Sequence, residues 1–102
     1  MTDLTLTQQQ KRHLRRLGHP LKPVVRMGGA GLTDGVLREV DQALDDHELI
    51  KVKIVADDRA GRHEAIERIR AESGAALVQA IGGIALLYRR SRIQRKQRIA
   101  LP

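Results

Sequence analysis

The sequence predicts an α+β fold: a two-layer α/β sandwich with a mixed four-stranded sheet and elements in the order αβαβαββ. Three observations predict it. Leu49-Ile50-Lys51-Val52-Lys53-Ile54-Val55 alternates apolar and basic residues, which is the period of a strand with one covered face. Three amphipathic stretches each follow a capping residue, at Thr7, at Thr33 and at Asp57-Asp58. Gly82-Gly83 separates two apolar runs, a hairpin signal. Helices in the first two strand-to-strand connections and a hairpin in the last make the sheet mixed.

Thr7-Gln8-Gln9-Gln10 has the form of a capping box and opens a helix that runs to Leu17 and ends at Gly18. Leu14 and Leu17 are its expected buried pair, and Lys11, Arg12, Arg15 and Arg16 cover much of the rest. His19-Pro20-Leu21-Lys22-Pro23 is a proline-stiffened connection into a first strand, Val24 to Met27. Past the glycine loop, Thr33 caps a helix to about Asp46, with Val36, Val40, Ala43 and Leu44 at helical spacing.

The alternation from Leu49 to Val55 puts Lys51 and Lys53 on the side opposite Ile50, Val52 and Ile54. A strand covered on both faces lacks this pattern, so one face of the sheet is expected to be open and basic. A third helix spans Arg59 to Ser73 and stops at Gly74. Ala76 to Ile81 and Ile84 to Arg89 then form the hairpin. Residues 1–90 read as one domain, and 91–102 as a basic tail that orders only against a partner.

The chain has 102 residues, 19 Lys+Arg against 12 Asp+Glu, a net charge of +7 and no cysteine. Disulfide and thiolate chemistry are therefore excluded. The excess charge favours polyanionic partners. It is also unevenly placed. Lys11, Arg12, Arg15, Arg16, Lys22 and Arg26 face a single acid, Asp3, in the first 26 residues, and the last 27 carry six cations and no acid. Between them, Asp34, Glu39, Asp41, Asp45, Asp46 and Glu48 make the second helix acidic. This polarity fits a directed binding face better than general solubility. Without an apolar leader or a membrane-length run, a cytoplasmic protein with no membrane partner is expected.

Tyr88 is the only aromatic residue. Proteins that stack single-stranded bases on a sheet need several aromatic faces, so nucleic acid would be met here through backbone and shape. Gly28-Gly29-Ala30-Gly31 is the natural meeting point. Few side chains keep a ligand away, and the loop leads into a helix N-terminus whose N–H groups favour an anion. The same loop also reads as a tight strand-to-helix turn with no ligand, and Asp34 in the first helical turn would repel a phosphate there.

Enzymatic motifs are missing. No Gly-Lys-Ser/Thr follows the loop, so it is not a P-loop, and Asp34 occupies the last position of an incomplete GxGxxG. His13, His19, His47 and His63 are scattered, without the spacing of metal ligands. Asp57 and Asp58 read as a helix cap rather than an acid–base pair. No metal, no cofactor and no catalytic residue is expected, and the chain reads as a binding module.

His19-Pro20-Leu21-Lys22-Pro23-Val24-Val25, the glycine loop with Leu32-Thr33-Asp34-Gly35-Val36, and His47-Glu48-Leu49-Ile50-Lys51-Val52-Lys53 together resemble the CRM domain family (chloroplast RNA splicing and ribosome maturation), in its bacterial stand-alone, YhbY-like form. Gly74, the hairpin and Leu86-Leu87-Tyr88-Arg89 fit as well, so the resemblance covers roughly residues 7–90. It implies a fold similar to the C-terminal domain of bacterial translation initiation factor three. It also implies an RNA-binding activity in which Gly28, Gly29, Ala30 and Gly31 form a GxxG loop likened to that of KH domains. Lys11, Arg12, Arg15, Arg16 and Lys22 would correspond to the family's basic surface, beside Lys51 and Lys53 on the open face. The expected partner is ribosomal RNA of the large-subunit (50S) precursor, with ribosomal proteins as further partners and the chain a monomer. The alternative is a protein–protein adaptor that presents its acidic second helix to a basic ribosomal protein.

Overall fold

The computed structural model describes residues 5–102. Three helices, α1 (Gln8–Gly18), α2 (Asp34–His47) and α3 (Arg59–Ser73), alternate with strands β1 (Pro23–Arg26), β2 (Leu49–Lys53), β3 (Ala76–Ile81) and β4 (Ile84–Tyr88). A short 3-10 turn, Gln94–Lys96, follows.

Each helix starts where a side chain can satisfy an otherwise orphan N–H. Thr7 accepts from the Gln10 N–H at 3.1 Å, and the Gln10 side chain accepts in return from the Thr7 N–H at 3.0 Å. The Thr33 hydroxyl accepts from Val36 N at 3.2 Å, and the Asp58 carboxylate from Gly61 N at 2.8 Å. Gly74 ends α3 in the left-handed conformation, with φ +73°. Strand limits shift slightly from expectation. β1 is Pro23–Arg26 rather than Val24–Met27, and β2 closes at Lys53 rather than Val55. Pairing with neighbours sets these ends, and alternation along one strand does not carry that information.

The sheet order is β1-β2-β4-β3. β1 and β2 are parallel, and both pairings of β4 are antiparallel, so the sheet is mixed as expected. β4 lies between β2 and β3, which are joined through α3. One face packs Val25, Ile50, Val52, Ala85 and Leu87 against Val40 and Leu44 of α2 and Ile66 and Ile69 of α3.

The opposite face departs from the expectation of a wholly open basic surface. α1 lies across one end of it, with Leu14 packed into a second cluster of Leu49, Ala76, Val78, Leu86 and Tyr88. Only the remainder, around Lys51 and Lys53, is left uncovered. Leu17, expected beside Leu14 in the core, is 40% exposed because α1 meets the sheet along a narrow stripe. The tail is also ordered. Ile99 and Leu101 pack against the second cluster, and the Gln10 side chain donates to the Pro102 carbonyl.

Gly18 sets how closely α1 approaches the sheet. A Cβ there would sit 2.7 and 2.8 Å from the two Leu86 methyl carbons, and Leu86 is itself buried. Gly35, in the first turn of α2, has only an ordinary 3.7 Å neighbour. Gly18→Ala is therefore expected to destabilise the fold by about 1–3 kcal/mol through overpacking. Gly35→Ala should be neutral or stabilise by up to about 1 kcal/mol. Urea denaturation of the two variants checks this, and equal losses would contradict the docking described.

Candidate nucleic-acid interface

The α1 docking geometry builds a trough. Arg12, Arg15 and Arg16 of α1 form one wall, and Lys51, Gln79 and Leu86 of the sheet form the other, around a concavity of about 690 Å³. Arg15 and Arg16 lie in the last turn of α1, where the helix dipole favours cations. The Lys51 ammonium donates to the His19 carbonyl at 3.3 Å, tying the end of α1 to β2. Register carries the surface onward, since Lys53 pairs with Arg26 across β1 and β2, and both border a shallow depression beside Val24. Lys22 and Lys51 line a third concavity with Leu21, Ile81 and Ile84. Lys11 stands on α1 but lines none of these three. Among the described residues, none of these eight cations is paired with a carboxylate.

The glycine loop leaves β1 at the far end of the same face. Met27 N–H donates to the Lys53 carbonyl at 2.9 Å, and Gly31 N–H closes a turn on the Gly28 carbonyl at 3.0 Å. Gly31 needs its φ of +81°. Gly28 and Gly29 have no such need. Neither has a positive φ, and a Cβ on either would meet nothing within 4 Å. The fold therefore requires glycine at Gly31 and leaves Gly28 and Gly29 unexplained by packing. Gly28, Gly29 and Ala30 are exposed. The start of α2 is already served from within, because Thr33 occupies the Val36 N–H and Asp34 supplies a negative charge to the dipole. Any anion at this turn is left with the exposed peptide groups of the loop. On the other side, the Arg68 guanidinium of α3 reaches the Leu32 carbonyl at 3.4 Å.

The acidic helix and the basic tail bind each other. Arg89 donates to Asp41 at 2.6 Å and to Asp45 at 3.2 Å, and Arg92 grips both Asp45 oxygens. Lys96 pairs with Asp46. Glu48, fully buried, accepts from the backbone N–H groups of Ser91, Arg98 and Ile99 at 2.7 to 2.9 Å. Its own N–H caps α2 on Leu44, and its carbonyl receives Arg89 N–H. This enclosure holds Glu48 at φ +66°, an unfavourable region for a side-chain-bearing residue.

The Arg92 hydrogen bond, against the opposing effect of burial, lowers the Asp45 pKa to about 2. The Lys96 bond lowers that of Asp46. Burial pushes Glu48 up, but the backbone donors from Arg98, Ser91 and Ile99 outweigh it and leave its carboxyl below the ordinary value. A tail disordered without a partner is thus corrected, because three N–H donors and four carboxylates hold it. The acidic helix is correspondingly less available as a docking face. The clue lay in the sequence as opposite charge in two separate segments, whereas Glu48 looks there like one more linker acid.

A family model described as the CRS1/YhbY (CRM) domain matches residues 6–89. The chain is 52% identical over 87 residues to the "RNA-binding protein" of Haemophilus influenzae, covering 85% of this chain and 88% of that one. It is 47% identical over 88 residues to "Probable RNA-binding protein PA4753" of Pseudomonas aeruginosa, covering 86% and 85%. Its similarity to "Probable RNA-binding protein YqeI" of Bacillus subtilis is 36% over 97 residues, covering 95% and 99%. Among solved structures, SAV1595 from Staphylococcus aureus superposes with a TM-score of 0.78 at 32% identity, covering 96% of this chain and all of that one.

Because Asp45, Asp46 and Glu48 have folded-state pKa values below their ordinary ones, their contribution is present above the unfolded carboxylate range and lost as pH falls through the folded values. Stability is expected to drop between about pH 5 and pH 2. Glu48→Ala, which leaves buried donors without an acceptor, should lose about 3 kcal/mol at neutral pH and flatten part of that dependence. Urea denaturation across the pH range measures both. An unchanged acid limb in Glu48→Ala would show that the tail is not held this way.

Proposed function

The chain belongs to the CRS1/YhbY (CRM) domain family, and we propose that it is an RNA-binding protein acting on structured ribosomal RNA during assembly of the large ribosomal subunit. The observation that carries the reading is the run of cations from Arg12, Arg15 and Arg16 through Lys51 to Lys22, Arg26 and Lys53, which among the described residues have no carboxylate partner and border concavities lined by no acid. Unpaired cations on a concave surface attract a phosphate backbone through counterion release, with no need for base-specific contacts. The relatives named as RNA-binding proteins support RNA as the partner.

Structured RNA suits this surface better than an extended single strand. Tyr88, the one residue among Phe, Tyr and Trp, is buried beneath α1 and the tail, which leaves no row of such rings on which successive bases can stack. In this reading α1 and β2 supply most of the electrostatic attraction. The Gly28–Gly31 loop sets register along the backbone, its exposed peptide groups approaching where Gly28 and Gly29 carry no side chain. The engaged carboxylates of α2 do not favour the adaptor reading.

The loop's role is open to a clean test, since neither Gly29 nor Ala30 is buried and a side chain at Gly29 meets open space. Gly29→Asp combined with Ala30→Asp is expected to leave thermal stability unchanged while weakening binding to a large-subunit precursor RNA fragment by about tenfold or more. Filter binding or fluorescence anisotropy gives the affinity, alongside a melting curve. Unchanged affinity with intact folding would remove the loop from the interface.

A further inference from the structure

A further concavity lies on the other face of the sheet, between α3 and the β3–β4 hairpin. Its volume is about 390 Å³, within the range of small-molecule sites. The floor is aliphatic: Ile54, Ile66 and Leu77. Leu77 remains only half-buried, so apolar surface faces solvent there. The rim is cationic. Arg59, Arg62 and His63 border it and make no ion pair among the described residues, while the one rim acid, Glu67, is held by Arg70 at 2.9 Å.

From this cavity we infer a subsite for one unstacked nucleobase of the bound RNA, an inference that rests on the RNA-binding reading above. Hydrocarbon walls cannot solvate a bare phosphate. A base fits the chemistry, with a flat face for the isoleucines and leucine and a second face for a guanidinium plane. Backbone polarity is available too. Gly82 and Gly83, with φ +57° and +79°, form a two-residue turn that makes Ile81 and Ile84 the hydrogen-bonded closing pair. The next residue, Ala80, lines the cavity and turns its N–H and C=O to the free edge of β3, a donor and an acceptor for the edge of a base.

The position suits a chain already held by the basic face. Ile54, in the cavity floor, directly follows Lys53, and the Ile54 N–H donates to the Gly83 carbonyl at 2.7 Å. Lys53 in turn accepts from Met27 at the base of the glycine loop. Loop and cavity therefore share one end of the sheet, and a backbone crossing that end can turn one base inward. With no exposed Phe, Tyr or Trp in the described residues, this cavity offers a base an apolar floor, and the exposed His63 imidazole on its rim is the one ring beside it.

Two RNA hairpins with the same stem and loop, one carrying a single added bulged nucleotide and one fully paired, test the subsite on the full chain by fluorescence anisotropy. Wild type is expected to bind the bulged hairpin about fivefold more tightly, the low end of what one well-held base contributes. Ala80→Leu fills the cavity from an exposed position, and Arg62→Ala removes the guanidinium. Each should abolish the preference for the bulge while leaving affinity for the paired hairpin unchanged. Equal wild-type affinity for the two hairpins, or a preference that survives both substitutions, overturns the subsite and leaves the basic-face reading standing. Failure of wild type to bind either hairpin overturns that reading and this one with it.

Discussion

A buried carboxylate organises the chain. Glu48 sits at the junction of α2 and β2, where its strained backbone redirects the chain and its side chain draws in three N–H groups from the C-terminal segment. A charged group with no exposed surface is tolerable only when its hydrogen-bonding capacity is met, and here the tail meets it. Once Ser91 and Ile99 are anchored, Arg92 and Lys96 fall within reach of Asp45 and Asp46. The tail then closes over Tyr88 and the second apolar cluster.

Folding thereby sorts the cations. A net charge of +7 spread over both termini suggests two basic arms, yet Arg89, Arg92 and Lys96 are committed to the acidic helix. The cations on α1, β1 and β2 keep no carboxylate partner among the described residues. The close approach of Gly18 to Leu86 sets the trough between α1 and the sheet, so local packing shapes the surface that electrostatics makes attractive. The glycine loop and the α3 cavity then lie at one end of the sheet, where Met27 bonds to Lys53 and the next residue, Ile54, bonds to Gly83 through the backbone.

Much of the fold was legible because its signals are local. Thr7, Thr33 and Asp58 each cap through an N–H three residues away, and Gly82-Gly83 turns by its own φ values. Packing between distant segments was not legible. Leu14 is buried by residues more than sixty positions on, such as Leu86 and Tyr88, and nothing near Leu17 shows that it will lie outside that contact. The tail looked disordered because Ile99 and Leu101 alone are a weak apolar pattern, and its order comes from the Glu48 carboxylate some fifty residues away. In the candidate site, the basic residue types and the loop were visible in the sequence. Which cations stay free, and the α3 cavity, depended on the tertiary arrangement.

The division into free and committed cations is tested most directly by the salt dependence of RNA affinity. The slope of log K against log salt counts neutralised phosphates, with each phosphate-contacting cation adding about one unit. Arg15→Gln with Arg16→Gln is expected to lower the slope by about one to two units and to leave folding stability nearly unchanged. Arg92→Gln with Lys96→Gln should leave the slope unaltered and reduce stability. The opposite pattern, with the slope carried by Arg92 and Lys96, would show that the tail cations rather than those of α1 meet the phosphates.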